Sequence, residues 1–248
     1  IMHLSARVRF MTSFVAGVGV GFSFFYVQEL GYAPFVAMLL AAGCICISLT
    51  NMVNFYDGAD LNLATFILLI ATMILLFMPA DRNWSVVALA LMAFILPFGI
   101  MNRRPRTIYL GDSGSFAIAG LLTIMAVAFL HDFGSIPPEI AIPAALPTLD
   151  VAYVFAVRVI EKHDMLTRNY LHLYQRLNRR HKGFGYLLPQ IVNLVLCIVT
   201  ASLLQLWGIT RIWSVIVAMA VVTPTFYFVC RWKFLAGPAE GPLYELTR

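Results

Sequence analysis

Trp84-Ser85-Val86-Val87-Ala88-Leu89-Ala90-Leu91-Met92-Ala93-Phe94-Ile95-Leu96-Pro97-Phe98-Gly99-Ile100-Met101 runs without one charged residue. That length approaches the roughly 20 apolar residues with which a helix crosses the hydrocarbon core of a bilayer. It is entered from Asp81-Arg82-Asn83 and left through Asn102-Arg103-Arg104-Pro105-Arg106. Seven similar apolar stretches lie around it, at 10–30, 33–50, 61–79, 114–131, 136–157, 186–208 and 212–230, and Pro143 and Pro147 interrupt one of them. The pattern predicts an all-α fold, a polytopic membrane helix bundle of about eight transmembrane helices, with residues 1–248 forming a single integral membrane domain.

Composition agrees. Of 248 residues, 61% are hydrophobic and 12% charged, and the mean hydropathy is +0.85; a soluble domain has about 45–50% apolar and about 25% charged residues. No stretch is left for a separate soluble domain, so any chemistry belongs to short loops and helix ends. Cys44, Cys46, Cys197 and Cys230 lie in or beside apolar runs and form no Cys-x-x-Cys pair, which argues against redox or zinc chemistry.

The connections are of two kinds. Those around Gly31, Pro79–Asn83, His131–Ser135 and Gly208–Arg211 are brief, whereas 1–9, 51–60, 102–113, 158–185 and the tail from Arg231 are polar. The two kinds alternate along the chain. Apart from Arg82 and Arg211, all of the 17 Lys and Arg residues fall in the polar kind, and the positive-inside bias then places those loops and both termini in the cytoplasm. The net charge of +5 is therefore first an orientation signal and needs no nucleic-acid partner.

Three polar loops carry residue types suited to phosphate chemistry. Asn51-Met-Val-Asn54-Phe-Tyr-Asp57-Gly58-Ala59-Asp60-Leu61-Asn62 sets two carboxylates three apart, on one face if the segment is helical. They suit a hard divalent cation or sugar hydroxyls, or alternatively a polar helix cap. In Tyr109-Leu110-Gly111-Asp112-Ser113-Gly114-Ser115 small residues enter a helix N-terminus whose N–H groups would meet a phosphate, with Asp112 able to hold magnesium against it; an ordinary N-cap is the other reading. Arg103, Arg104 and Arg106 upstream add attraction for anions. The third loop contains His172-Leu-Tyr174-Gln175-Arg176-Leu177, in which His172 and Arg176 share a helical face and fit a pyrophosphate or sugar. Asp150, at membrane depth, is either a functional group or a hydrogen-bond partner for a neighbouring helix. Glu139 reads as interfacial.

The three motifs together, Asn-x-x-Asp-Gly-x-Asp, Gly-Asp-Ser-Gly-Ser and His-Leu-Tyr-Gln-Arg-Leu, resemble the polyprenyl-phosphate N-acetylhexosamine-1-phosphate transferases over nearly the whole chain, from Ala6-Arg7-Val8-Arg9 to the last helix. The third motif is most similar to the branch that initiates O-antigen and other surface polysaccharides. The resemblance implies transfer of a sugar 1-phosphate from a UDP-sugar donor to undecaprenyl phosphate with release of UMP, magnesium (or manganese) as cofactor, and a multi-pass bacterial inner-membrane enzyme with a cytoplasmic active face. It implies Asp112 as metal ligand with Asn54 as a second, Asp57 and Asp60 at the nucleotide-sugar site with Asp60 close to the uracil, Tyr109 stacking on the base beside Gly111, and His172 and Arg176 at the diphosphate or sugar. A homodimer stays open. Two departures stand out: the family usually has Gly where this chain has Leu61, and it carries an adjacent Asp-Asp pair found nowhere in this sequence. The second predicts a chain lacking the family's N-terminal helices. A secondary transporter using Asp150, Asp57 and Asp60 for a coupling ion, or a non-catalytic membrane scaffold, are the competing readings.

Overall fold

A computed structural model of the chain describes residues 6–26, 28, 30–78, 81–103, 108–162, 171–180 and 185–235, with the side chains at 6, 82, 112, 179 and 185 outside the description. The chain divides into two compact units, one of residues 1–63 and 104–137, the other of 64–103 and 138–248.

The first unit contains α1 (Ala6–Phe25), α2 (Tyr32–Tyr56) and α5 (Gly111–Phe133). Small residues let α1 and α2 approach closely: a Cβ placed on Gly17 would sit 2.5 Å from the Ala42 carbonyl oxygen and 2.6 Å from Cys46 Cβ. Small residues at a helix contact serve membrane helices in this way, because van der Waals packing replaces the hydrophobic drive that lipid removes. Phe25, Ala42 and Val127 form the core of the unit, with Phe24, Phe35 and Met38 packed against it.

The second unit contains α4 (Arg82–Asn102), α6 (Pro138–Ile160), α7 (Leu173–Arg180), α8 (Leu188–Leu206) and α9 (Arg211–Leu235), with nearly all of α3 (Asn62–Phe77). Asp81 caps α4, accepting the Asn83 and Trp84 N–H groups at 3.0 and 3.1 Å, as a short acidic side chain before a first turn should. Met73, Ile142, Leu194, Cys197, Ala201, Val215 and Ala218 make its core. Pro143 and Pro147 do not interrupt α6, which runs continuously. All four cysteines are free thiols.

Among the described residues seven helices are long and apolar enough to cross a membrane, and the chain is an integral membrane helix bundle. The eighth expected span is shorter than predicted: α3 has 16 residues, about 24 Å against a hydrocarbon core of about 30 Å. The side chain of its first residue, Asn62, donates back to the Tyr56 carbonyl oxygen at 3.3 Å. Exposed aliphatic side chains such as Leu89, Leu96, Val195 and Leu203 are surfaces suited to lipid. On α9, Trp213 and Trp232 are both exposed and stand about 28 Å apart along the helix axis, the spacing of two interfacial anchors across a bilayer core.

Candidate active site

In the first unit, α2 ends at Tyr56 and Asp57 occupies its C-cap. Asp57 and Asp60 therefore do not share a helical face. A turn separates them, closed by Gly58 N–H to the Phe55 carbonyl at 3.2 Å and Asn62 N–H to the Ala59 carbonyl at 3.2 Å. Both carboxylates nevertheless reach the same distant segment. Asp57 accepts the Gly111 N–H at 3.0 Å and the Leu110 N–H at 3.4 Å, while Asp60 accepts the Tyr109 hydroxyl at 2.9 Å. The two acids are 7% and 4% exposed, and Tyr109, whose hydroxyl is anchored on Asp60, is 45% exposed as a residue.

Two backbone torsions make this turn. Gly111 has φ +64°, which aims its N–H at Asp57 from the start of α5, and Leu61 has φ +60°, in the region that L-residues other than glycine disfavour. Leu61 is the position at which the resembled family has glycine. This chain keeps left-handed backbone there despite the side chain.

The expectation of free N–H groups at the α5 N-terminus is corrected at two positions, since Leu110 and Gly111 already donate to Asp57. A carboxylate at a helix N-terminus is itself favourable. Burial still pushes the Asp57 carboxyl above its ordinary 3.8, the bonds from Leu110 and Gly111 opposing that shift. Asn54 lies half-buried on the last turn of α2. The Asp112 side chain and all of Arg104 and Arg106 lie outside the described residues. Among the described residues no three His, Cys, Asp or Glu side chains gather as a metal cluster.

In the second unit Asp150 is 1% exposed and bonded from two places, the His172–Leu173 segment and α9. Its Oδ2 lies 2.9 Å from His172 Nδ1, the Leu173 N–H reaches both oxygens at 3.0 and 3.2 Å, and the Tyr227 hydroxyl donates to Oδ1 at 2.7 Å. Arg231 donates through Nη2 to Oδ1 at 3.3 Å and to the Leu171 carbonyl at 2.8 Å, and through Nε to the Tyr227 oxygen at 2.7 Å. Its guanidinium also lies 4.1 Å from the Tyr153 ring centroid. The hydrogen-bond reading of Asp150 therefore holds, and its partner turns out to be the third motif itself. His172 is 1% exposed, packed within this network rather than standing at the surface. Arg176, one turn further and half-buried, has its guanidinium pKa lowered by burial and by the neighbouring Arg231.

Sequence reasoning missed Tyr227 and Arg231. Their i,i+4 spacing on one face of the last helix was the available signal, obscured because Arg231 reads as an ordinary positive flank. Glu139, read as interfacial, is 6% exposed and paired with Arg211 Nε.

The sequence profile of glycosyl transferase family 4 matches residues 1–130. The chain belongs to glycosyl transferase family 4. Curated relatives of this family 4 chain include the phospho-N-acetylmuramoyl-pentapeptide-transferases of Streptococcus suis, 30% identical over 122 residues (48% of this chain, 35% of the relative); Lactobacillus gasseri, 32% over 124 (46% and 38%); and Streptococcus pneumoniae, 30% over 119 (47% and 32%). The match thus covers 35%, 38% and 32% of these relatives' lengths. These relatives carry the name of a different branch from the O-antigen initiators. No solved structure matches. The family 4 match includes the acidic turn and the start of α5, while Asp150, His172 and Arg176 lie beyond it, so the resemblance read over nearly the whole chain is matched by the profile over its first half.

Proposed function

We propose that this family 4 protein transfers an N-acetylhexosamine-type sugar 1-phosphate from a UDP-sugar to a polyprenyl phosphate. An oxygen of the lipid phosphate attacks the β-phosphorus of the donor, the bond from that phosphorus to the bridging oxygen breaks, and the oxygen leaves with UMP. The observation that carries the reading is the acidic turn, in which Asp57 and Asp60 are held on Tyr109–Gly111 within the segment that the family profile matches.

Phosphoryl transfer asks a protein chiefly for positioning and charge neutralisation, and the roles follow from that. Asp60 fixes Tyr109 by its hydroxyl and leaves the ring to stack on the base. Arg176 meets the diphosphate, with His172 one turn before it. Asp57, Asp60, Asn54 and Asp112 are hard oxygen donors of the kind magnesium takes, and the raised pKa of Asp57 marks a buried charge that a cation would relieve. Of these, Asp112 and Asn54 would hold magnesium, which supplies charge neutralisation at the diphosphate when bound. The active face is cytoplasmic and the membrane is the bacterial inner membrane, as the distribution of Lys and Arg supports.

The relatives' names favour an N-acetylmuramoyl-pentapeptide donor, and the His-Leu-Tyr-Gln-Arg-Leu motif favours a simple N-acetylhexosamine for a surface polysaccharide. One assay separates the two. UMP release is measured in membranes containing undecaprenyl phosphate with each UDP-sugar, for the chain as it stands and for the chain extended by any in-frame coding sequence preceding Ile1. Turnover that is lost with a chelator and in Asp112→Ala is the expected result. Inactivity of both forms with every donor, or indifference to magnesium, sinks the reading.

A further inference from the structure

The Asp150 network lies outside the segment matched by the family profile, and nothing in the transfer chemistry above requires it. Its construction is nonetheless unusual. A carboxylate 1% exposed in a membrane helix is costly unless it is paired and fully hydrogen-bonded, and a core built only for stability would be as well served by apolar residues. This carboxylate receives donors from the His172–Leu173 segment and from Tyr227 and Arg231 of α9. Arg231 also grips the Leu171 carbonyl, so both the chain entering α7 and its first N–H are pinned. Leu173, Tyr174 and Leu177 bury the inner face of α7, which leaves Arg176 on a turn whose start is fixed on both sides.

We infer that Asp150 is a positioning residue. It holds His172 with the proton on Nδ1 and, with Tyr227 and Arg231 as supports, sets the register of α7 and so the place of Arg176. This rests on the transferase reading, because Arg176 is assigned to the diphosphate only there. The physical basis is general: a carboxylate accepting from one imidazole nitrogen decides the tautomer and the ring orientation, and an asparagine in its place presents an amide donor that reverses the tautomer while keeping the shape.

The test has two arms. In the first, the full chain with 15N-labelled histidine is reconstituted in nanodiscs and the imidazole nitrogens are read by NMR, the His172 signals being those missing from His172→Gln. The expected spectrum has Nδ1 protonated, changing to the Nε2-protonated form in Asp150→Asn; an unprotonated Nδ1 in the parent chain overturns the inference. In the second, UMP release is measured for Asp150→Asn, His172→Gln and the double variant. Each single change should lower kcat by about 10- to 100-fold with KM for the nucleotide sugar little moved, and the double variant should be no worse than the poorer single. Losses that multiply overturn the inference. Should Asp150→Asn fail to fold, Tyr227→Phe, which removes one support of the carboxylate and no charge, replaces it and should show the same kcat pattern on a smaller scale; an unchanged kcat there counts against the inference. A parent chain inert toward every donor overturns the transferase reading alone, and the NMR arm still decides how His172 is held.

Discussion

Gly111 and Leu61 carry the left-handed backbone on which the acidic turn depends, and they should respond oppositely to exchange. Gly111→Ala forces a Cβ into φ +64°, costing about 1–2 kcal/mol and turning the N–H away from Asp57; a lower melting temperature together with lost UMP release is expected. Leu61→Gly relieves a similar strain, offset in part by the greater freedom of the unfolded chain. Thermal unfolding in detergent should rise by a few degrees, and a fall would show that the Leu61 side chain contributes more than its torsion costs. Asp57 adds a pH dependence. Its folded pKa is raised above the ordinary 3.8, so its contribution to stability is largest below that value and is lost as pH rises through the raised one. Asp57→Asn should remove that part of the slope in melting temperature against pH, and an unchanged slope would contradict the burial argument. The pair Asp57 and Asp60 was legible from spacing alone. Its partners Tyr109 and Gly111, about fifty residues away, were not, because no local periodicity reports a contact between two loops.

At the scale of elements, hydropathy located the apolar helices and erred where polar detail overrides it. The α3 helix covers Asn62–Phe77 against an apolar stretch of 61–79, and its first residue also closes the acidic turn onto the Tyr56 carbonyl, a use that average hydropathy cannot register. Glu139, read as interfacial from the sequence, meets Arg211 from the first turn of α6 to the first turn of α9, a partner that lies 72 residues away and that no local pattern reports. Arg211→Met leaves that buried carboxylate without its partner. Since the Arg211 side chain is half exposed, the loss should be about 1 kcal/mol rather than the larger penalty of a fully buried pair, and Glu139→Gln in the same chain should recover most of it by thermal unfolding. Gly17 gives a steric counterpart. Gly17→Leu drives a side chain into the Ala42 carbonyl and should cost roughly 1–3 kcal/mol, seen as a lower melting temperature with loosened α1 and α2.

At the scale of the whole molecule, the uneven distribution of Lys and Arg is what the expected orientation rests on, whereas the division into two compact units was not readable, since contact density leaves no mark on hydropathy. Asp150 illustrates the limit: it lies 22 residues from His172 and 77 from Tyr227, and only packing brings them together. One feature of α9 extends this to the bilayer. Trp232 is 80% exposed and directly follows Arg231, which grips Asp150, so the residue type that seeks the headgroup region sits one position from the network holding His172. Acyl chains two or four carbons longer or shorter than those matching the span from Trp213 to Trp232 would tilt or shift α9 and pull on Arg231, so turnover should peak at one chain length in reconstituted vesicles, and Trp232→Ala should flatten that optimum.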